Sequence, residues 1–550
     1  GIDVRRFTLQ QETPLVVNYL GLKAFAKGYQ VRVDKLALDM PQIKADLKTQ
    51  VELRQGYPLT LDATALVREE PANGQELALS VGGSVKNLTV HAELGGVVES
   101  QIEAKLQPLE PTLPFDVLID QTKAQWPLTG KGDYFVDLKK LSASGSLEGY
   151  QVALAASAQG KDVPDTEVSL EGKGDIKQIE LTSLNINTLG GDISGNAFAN
   201  WDAPINWRAA IKLANIQPGL QWPEAEGNIS GELKTSGSLS DQGGWQVDLP
   251  MFDIDGVLRD YPLNFEGSLT ASDKAANGDI RLSTPGIVLS HGPNRVTAEG
   301  ELNKQWQMNL AIDFPQLAKS VPDLAGRVQG NVALRGKLAE PDVNLLLNVN
   351  DVKWKDEATL KTLRLQGDVM PLPQVKANVT LTAQDATYQD NRLDSLALVV
   401  TGGQASHNLT LDLASNLASV SLALNGSLKE KPVMDWRGQL ERAEITSQQG
   451  TWNLAKPTGL GYNLDKQLAA VSAHCWLQGD ASLCLDKDIQ VGEQGEAQLS
   501  LKQFRFSQLK AFIPDDTQLQ GEVNANVWAK WAPNKPPQAK VTVEMPKGQV

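Results

Sequence analysis

The chain has 550 residues and a formal net charge of −15, and its length exceeds what one ordinary hydrophobic core needs. The acidic balance argues against nucleic-acid binding and against a surface that attracts anionic lipid headgroups. No segment approaches about 18 consecutive apolar residues, so the sequence predicts no membrane-spanning helix. Because the chain starts at Gly1 without a methionine and ends within an alternating segment, we interpret it as a piece of a longer protein, with a processed mature protein as the alternative.

Apolar and polar residues alternate with a period of two along almost the whole chain, which is typical of half-buried β-strands. In chain order, clear examples are 88–94, 343–349, 375–381 and 409–413. Turn signals separate these runs: Asn-Gly pairs at 73–74, 277–278 and 425–426, and Gly-Gly pairs at 82–83, 95–96, 190–191, 243–244 and 402–403. Helical patterns are scarce, although 314–324 and 507–514 each have room for a turn or two. The sequence therefore predicts an all-β chain of roughly 35–40 strands.

An aromatic box recurs along the chain, with an aliphatic residue four positions after the aromatic one. It reads LPFDVLIDQ at 113–121, INWRAAIKL at 205–213, KQWQMNLAI at 304–312 and MDWRGQLER at 434–442, so the aromatics are 92, 99 and 130 residues apart. A second box, GNISG at 227–231 and GRVQG at 326–330, begins 20 residues after Trp207 and Trp306, and GEVNA at 521–525 repeats it. Self-similarity near 100 residues indicates an elongated repeat protein, with chance matches in an alternating chain as the alternative.

Strands that are apolar on one face form a sheet whose apolar face must be covered. With few helices available, the sheet can close into a barrel, stack as a sandwich, coil as a solenoid, or fold into a trough that leaves its apolar face open to a ligand. At about 4.8 Å between neighbouring strands, one continuous sheet would extend roughly 170–190 Å. That length favours a protein that spans a distance over a compact enzyme.

The two cysteines lie in the segment HCWLQGDASLC at 474–484. If Gly479-Asp480 forms a two-residue turn, Gln478 faces Ala481 and Cys475 faces Cys484. That pair falls at a non-hydrogen-bonded position of the hairpin, where the Cα atoms come within disulfide range. We expect a disulfide, which would place this region in an oxidising compartment such as the bacterial periplasm; two unpaired small hydrophobic residues are the alternative.

A search for chemistry finds no catalytic, metal or cofactor motif. The four histidines at 91, 291, 407 and 474 are scattered and lack metal-ligand spacing. No phosphate-binding loop and no nucleophile elbow occurs. The acidic residues are spread over polar faces, as expected for solvated side chains. We expect a protein that is not an enzyme and that binds no cofactor or metal.

The boxes GNISGELKTSGSL and GRVQGNVALRGKL, preceded by INWRAAIKLANI and KQWQMNLAIDF, resemble the TamB family, which is part of the AsmA-like group of Gram-negative envelope proteins. The resemblance covers essentially all 550 residues and is closest to the central segment of those proteins. It implies a repeating β-groove, a long continuous sheet folded lengthwise into an elongated β-taco with an apolar interior. We expect one continuous repetitive segment over 1–550, with approximate repeat units 1–120, 121–220, 221–320, 321–440 and 441–550.

The resemblance also implies a function, a location and partners. The function is a periplasm-spanning conduit that carries phospholipid between the inner and outer membranes and contributes to outer-membrane homeostasis. The location is the periplasm of a Gram-negative bacterium, with an inner-membrane anchor before this segment and the outer-membrane barrel partner TamA reached through a region after it. The alternative is a scaffold or chaperone that helps to insert outer-membrane β-barrels and autotransporters by strand addition. A right-handed β-helix acting on polysaccharide is disfavoured, because neither short regular rungs nor clustered Asp residues appear.

The family has no catalytic residues to transfer, so the predicted site is the groove lining, assigned from alternation. For each residue, packing against the facing wall of the same trough is the alternative to lipid contact. The predicted lining comprises Leu88, Val90, Leu94, Phe115, Val117, Ile119, Ile205, Trp207, Ile211, Leu213, Trp306, Met308, Leu310, Ile312, Val343, Leu345, Leu347, Val349, Val379, Leu381, Leu409, Leu411, Leu422, Leu424, Trp436, Val541 and Val543.

Overall fold

The structure is a computed structural model that describes residues 1–9, 15–54, 56–430, 432–508 and 520–546. The chain divides into two compact units, Gly1–Leu282 and Ser283–Val550. The described residues form 38 strands and no α-helix, and none of their helical turns is long and apolar enough to cross a bilayer. The predicted all-β class and strand number are therefore confirmed. The five repeat units stay a prediction, and the boundary between the compact units falls inside the third of them.

The first unit contains eighteen strands, joined by short turns and by two 3₁₀ turns at Pro218–Leu220 and Pro223–Ala225. The strands are β1 (Ile2–Leu9), β2 (Leu15–Lys27), β3 (Gln30–Asp39), β4 (Ile43–Glu52), β5 (Pro58–Val67), β6 (Glu76–Ser84), β7 (Asn87–Gly95), β8 (Glu99–Leu106), β9 (Phe115–Trp126), β10 (Tyr134–Ser146), β11 (Gly149–Gly160), β12 (Val163–Gly174), β13 (Gln178–Thr188), β14 (Gly191–Asn200), β15 (Ile205–Ile216), β16 (Gly227–Leu239), β17 (Trp245–Leu258) and β18 (Tyr261–Asp273). Each pairs antiparallel with the next, so the unit is a single meander.

The second unit contains the other twenty strands, the first of which starts two residues before the unit boundary, and a 3₁₀ turn at Leu317–Lys319. They are β19 (Arg281–His291), β20 (Asn294–Asn303), β21 (Gln305–Phe314), β22 (Leu324–Lys337), β23 (Glu340–Trp354), β24 (Ala358–Met370), β25 (Lys376–Tyr388), β26 (Asn391–Gly403), β27 (Ser406–Ser415), β28 (Ala418–Lys429), β29 (Asp435–Ser447), β30 (Gly450–Leu454), β31 (Thr458–Asn463), β32 (Leu468–Val471), β33 (His474–Gln478), β34 (Ala481–Leu485), β35 (Ile489–Val491), β36 (Gly495–Arg505), β37 (Glu522–Ala532) and β38 (Lys535–Glu544).

The second unit changes character after β29. From β20 to β29 it is again a meander of antiparallel neighbours. One half of β29 then pairs with β30 and the other half with β31. The ladder continues in two narrow tracks, β30–β33–β34 and β31–β32–β35, which both pair with β36. We name β22–β29 (324–447) the long-strand segment and β30–β35 (450–491) the broken-strand segment.

The helical and turn predictions are only partly correct. The pattern at 314–324 forms the short 3₁₀ turn, and 507–508 continue a 3₁₀ turn while 509–514 lie outside the described residues. The predicted turns at 82–83, 402–403 and 425–426 are wrong, because these pairs lie within β6, β26 and β28. Gly426 is instead a glycine because a side chain would not fit: a Cβ atom there would lie 2.7 Å from Cζ2 of the Trp436 ring.

The cysteine prediction is confirmed. Gly479 has a φ of +55°, Gln478 faces Ala481, and Cys475 faces Cys484 across the β33–β34 hairpin. The two sulfurs form a disulfide with a Cα–Cα distance of 4.0 Å. Neighbouring residues of a strand point to opposite sides of the sheet. Trp476 points to the side that carries the apolar residues Leu454 and Leu483, so the adjacent Cys475 and its disulfide lie on the other, polar side.

No α-helix is available in the described residues of either unit to cover its sheet. Close backbone contacts in those residues join neighbours on the ladder or a short turn to its adjoining strand. Only eleven described hydrophobic residues are buried to below 9% exposure, whereas a closed core would bury far more of a chain this rich in apolar residues. The apolar face of each sheet is therefore left largely uncovered.

Candidate functional site: the apolar face of the sheet

In the first unit, strand register gathers the apolar residues on one face. Residues that face each other across a ladder project to the same side of the sheet. Trp207 faces Ala199 and Gly237, while Ile211 faces Gly195 and Leu233. Nearer the N-terminus, Val117 lies on the same face and is paired with Ala104 and Ala143. The predicted lining residues of this unit thus share one face, which we call the apolar face.

The apolar face carries almost no charge. At the paired positions of this register from β5 to β18, the one charged residue is Asp273, at the end of β18. Its carboxylate accepts hydrogen bonds from the backbone N–H groups of Asn277 and Gly278, at 3.2 and 2.8 Å, and so serves the following turn. A long apolar surface without fixed polar groups attracts hydrocarbon without holding it at one point.

The second unit repeats this arrangement. Leu310 faces Ala298 and Val332, and Leu345 faces Val332 and Gly367. The predicted lining residues of β25 to β29 lie on the same face. Among the paired residues on this face from β20 to β29, His407 is the one ionisable side chain other than tyrosine. In the broken-strand segment the same face passes through Trp476 and Leu483.

His407 is held in place by hydrogen bonds at both ring nitrogens. Its Nδ1 lies 3.0 Å from the carbonyl oxygen of Gly403, and its Nε2 lies 2.8 Å from Nε1 of Trp436. Because the indole N–H can only donate, Nε2 accepts and Nδ1 carries the proton. This arrangement uses the neutral imidazole and leaves the face uncharged.

The predicted lining residues differ in exposure. Most are half-buried, and none is fully buried. Ile205 is 38% exposed, and Val541 and Val543 are 60% and 55% exposed on β38, which pairs with β37 alone among the described strands. Half-burial is what an open, single-layer face produces, since each side chain is covered by its neighbours on the face but not from above. That these residues contact lipid stays a prediction.

Alternation alone missed residues that follow β-bulges. Ile216 is 5% exposed and faces Ile229, although it has the opposite parity to Ile205–Leu213, because a register shift separates Leu213 from Ile216. Phe252, which is 7% exposed, likewise follows a shift after Leu249. A bulge inserts an extra residue and reverses the side to which later residues point. No single-strand pattern reveals it, although a break in alternation before an aliphatic residue is a usable signal.

The opposite face carries the charges. Lys212 lies 3.8 Å from Glu232 across β15–β16, and the Arg208 guanidinium lies 4.3 Å from the centre of the Phe198 ring. The carboxyl groups with displaced pKa values belong to this face or to turns. The pKa of Glu496 is lowered by a hydrogen bond from the Trp528 indole, and that of Asp202 by the ammonium group of Lys177. No group of three or more His, Cys, Asp or Glu within the described ranges could hold a metal ion.

The chain is similar to known proteins over nearly its whole length. A family model described as "TamB, N-terminal domain" matches residues 1–550. The translocation and assembly module subunit TamB of Haemophilus influenzae is 24% identical over 530 residues, which are 94% of this chain and 40% of that protein. An uncharacterized protein of Buchnera aphidicola is 20% identical over 335 residues, 60% of this chain and 32% of that protein. The chain thus spans well under half of these relatives, and no solved structure matches it.

Proposed function

The chain belongs to the TamB family, and from this premise we propose that it is a segment of a lipid conduit in the Gram-negative periplasm. In this proposal it is not an enzyme; it covers the acyl chains of phospholipids while they cross the aqueous space between inner and outer membranes. An inner-membrane anchor and the outer-membrane barrel TamA belong to the proposal as contacts made by other regions of the full-length protein.

One observation carries the proposal: each unit presents an apolar face that is largely left half-buried and is nearly free of charge. Exposing such a face to water is unfavourable, and an acyl chain that covers it removes apolar area from water on both partners. Each buried CH₂ group contributes about 0.8 kcal/mol, so a two-chain phospholipid gains enough to stay covered along the whole path.

A second function, the scaffolding of outer-membrane β-barrels, is favoured by the name of the Haemophilus relative, translocation and assembly module subunit TamB. A scaffold would act through backbone pairing of client strands or through its apolar face, and a conduit through the apolar face alone. Crosslinking from that face therefore distinguishes lipid from protein clients.

The test places a photoreactive amino acid at Leu310 or Leu345 of the full-length protein in living cells. Gln307, which is exposed on the polar face of β21, is the matched control position. The conduit predicts phospholipid adducts at both inward positions and few at Gln307. Adducts only with nascent outer-membrane proteins would overturn the conduit and favour the scaffold.

A further inference from the structure

Trp207 lies directly over a glycine of the neighbouring strand. Trp207 on β15 faces Gly237 on β16. A Cβ atom built on Gly237 would lie 2.1 Å from Cζ2 of the Trp207 ring and 2.5 Å from Cη2, closer than real Cβ contacts approach. The ring therefore occupies the space in which any other residue would place its side chain.

Two further tryptophans, both in the second unit, have the same relation to glycine. A Cβ atom on Gly426, on the strand next to that of Trp436, would lie 2.7 Å from Cζ2 and from Nε1 of the Trp436 ring, and 2.8 Å from Nε2 of His407. A Cβ atom on Gly495 would lie 2.4 Å from Cζ2 of Trp531, which faces it. We call these contacts the tryptophan–glycine pairs: Trp207 with Gly237, Trp436 with Gly426, and Trp531 with Gly495.

Hydrogen bonds fix two of the three rings. The indole N–H of Trp436 donates to Nε2 of His407 at 2.8 Å, and that of Trp531 donates to the carbonyl oxygen of Gly492 at 3.2 Å. All three tryptophans are half-buried. Each ring is thus covered by the wall on one side and exposed to the space above the apolar face on the other.

The backbone does not require glycine at these positions. None of the three glycines has a positive φ, and only ring atoms of tryptophan or histidine would crowd a Cβ atom at each, so the backbone itself accepts an L-residue there. β-branched residues are moreover preferred in strands, and glycine weakens them. The ring is therefore the reason for the glycine: without a side chain below it, the indole lies close against the wall.

We propose that the tryptophan–glycine pairs set the clearance of the lipid path, each glycine keeping its ring against the wall and out of the way of a passing acyl chain. The proposal rests on the conduit function proposed above and adds residues that control its width. A side chain in place of the glycine must displace the ring, because close-packed groups cannot share the same volume. The displaced ring then projects into the path.

The test introduces Gly237→Val into the full-length protein in cells, with photoreactive residues at Val117 or Leu269 reporting phospholipid on either side of the pair. Both positions lie on the apolar face of the first unit. The matched control is Gly82→Val, because Gly82 lies on the polar face of β6 with nothing within 4 Å of its Cβ position. We expect Gly237→Val to reduce phospholipid adducts on one side of β15, and Gly82→Val to leave both positions as in the wild type.

A rescue variant separates a blocked path from a misfolded wall. Adding Trp207→Ala to Gly237→Val removes the displaced ring, so adducts should return on both sides. A second variant, Gly495→Ala, makes the same test with a smaller side chain at Trp531. The proposal would be overturned if Gly237→Val and Gly495→Ala gave phospholipid adducts as the wild type does. It would also be overturned if adducts lost in Gly237→Val did not return when Trp207→Ala was added. Absence of phospholipid adducts in the wild-type protein as well would overturn the conduit function itself.

Discussion

The long-strand and broken-strand segments build the same apolar face in different ways. Strands β22–β29 have 10 to 15 residues, and backbone ladders join them along most of their length. Strands β30–β35 have 3 to 6 residues and run in two narrow tracks. A short strand makes few ladder hydrogen bonds, so the broken-strand segment needs other restraints to hold the same face.

Those restraints are visible where the strands break. Asp488 accepts a hydrogen bond from the backbone N–H of Ala473 at 2.7 Å, and the Thr458 hydroxyl donates to the carbonyl oxygen of Ser472 at 3.2 Å. Pro457, which has no N–H to offer a ladder, lies in the first break. The disulfide then joins β33 to β34. Where the strands are short, side-chain hydrogen bonds and one covalent link thus add to the few ladder hydrogen bonds.

The largest effect we expect comes from a charge on the apolar face, in either segment. Leu345→Asp in the long-strand segment and Leu483→Asp in the broken-strand segment each place a carboxylate in the proposed path. An acyl chain that passes it would strip water from a charge, at a cost of several kcal/mol. We expect both variants to lose phospholipid transfer in cells, measured by adducts at Leu310.

The matched controls place the same carboxylate on the opposite face. Gln366→Asp lies beside Arg364, and Ser482→Asp faces Lys502, so each new charge has a partner. Both should transfer phospholipid as the wild type does. If Leu483→Asp also behaves as the wild type while Leu345→Asp fails, the broken-strand segment lies off the lipid path and the two segments do not share one functional face.

The next effect concerns the disulfide. Replacing Cys475 and Cys484 by serine removes a link across a short loop, for which chain entropy alone gives about 3 kcal/mol. We expect amides of β33 and β34 to exchange hydrogen faster by a corresponding factor, because their ladders are short. Amides of β23 and β24 should exchange as in the wild type.

Reductant added to the wild-type protein is the control, since it breaks the same bond without a substitution. Equal acceleration in β23 and β24 would mean that the two segments unfold together, which contradicts the independent restraint described above.

A smaller effect is expected from Ser500→Ala, next to the broken-strand segment. The Ser500 hydroxyl, buried on β36, donates to a carboxylate oxygen of Asp486 at 2.7 Å. Because Asp486 is exposed, the loss should be about 1 kcal/mol, below the roughly 1.5–3 kcal/mol of a hydrogen bond to a charged group that is shielded from water. Protease susceptibility of the 481–491 region would measure it. Ser500→Thr, which keeps the hydroxyl, should retain most of the resistance, and equal sensitivity of both variants would exclude the hydrogen bond as the cause.

Sequence alternation predicted the strands and the face of most residues, because side chains alternate along any strand. It failed at Ile216, where a bulge that depends on the neighbouring strand reverses the parity. It also took Asn425-Gly426 for a turn, because glycine serves turns and close ring contacts equally and the Trp436 ring comes from another strand. The cysteine pair was predictable because a two-residue turn fixes its own register. Contacts between distant strands lie outside any local pattern.

The smallest effect is expected on the polar face of the long-strand segment, where the ladder already holds the strands. Arg327 lies 2.9 Å from Asp351, and both side chains are about 60% exposed. An exposed ion pair contributes less than about 0.5 kcal/mol, and less still in high salt. A double-mutant cycle measures it, but Asp351 has a φ of +51°, so alanine there would add backbone strain. Arg327→Ala with Asp351→Asn avoids this, since asparagine tolerates that conformation. A coupling free energy larger than the stability lost in Ser500→Ala would show that side-chain contacts also hold the long-strand segment. The two segments would then differ only in how much they depend on such contacts.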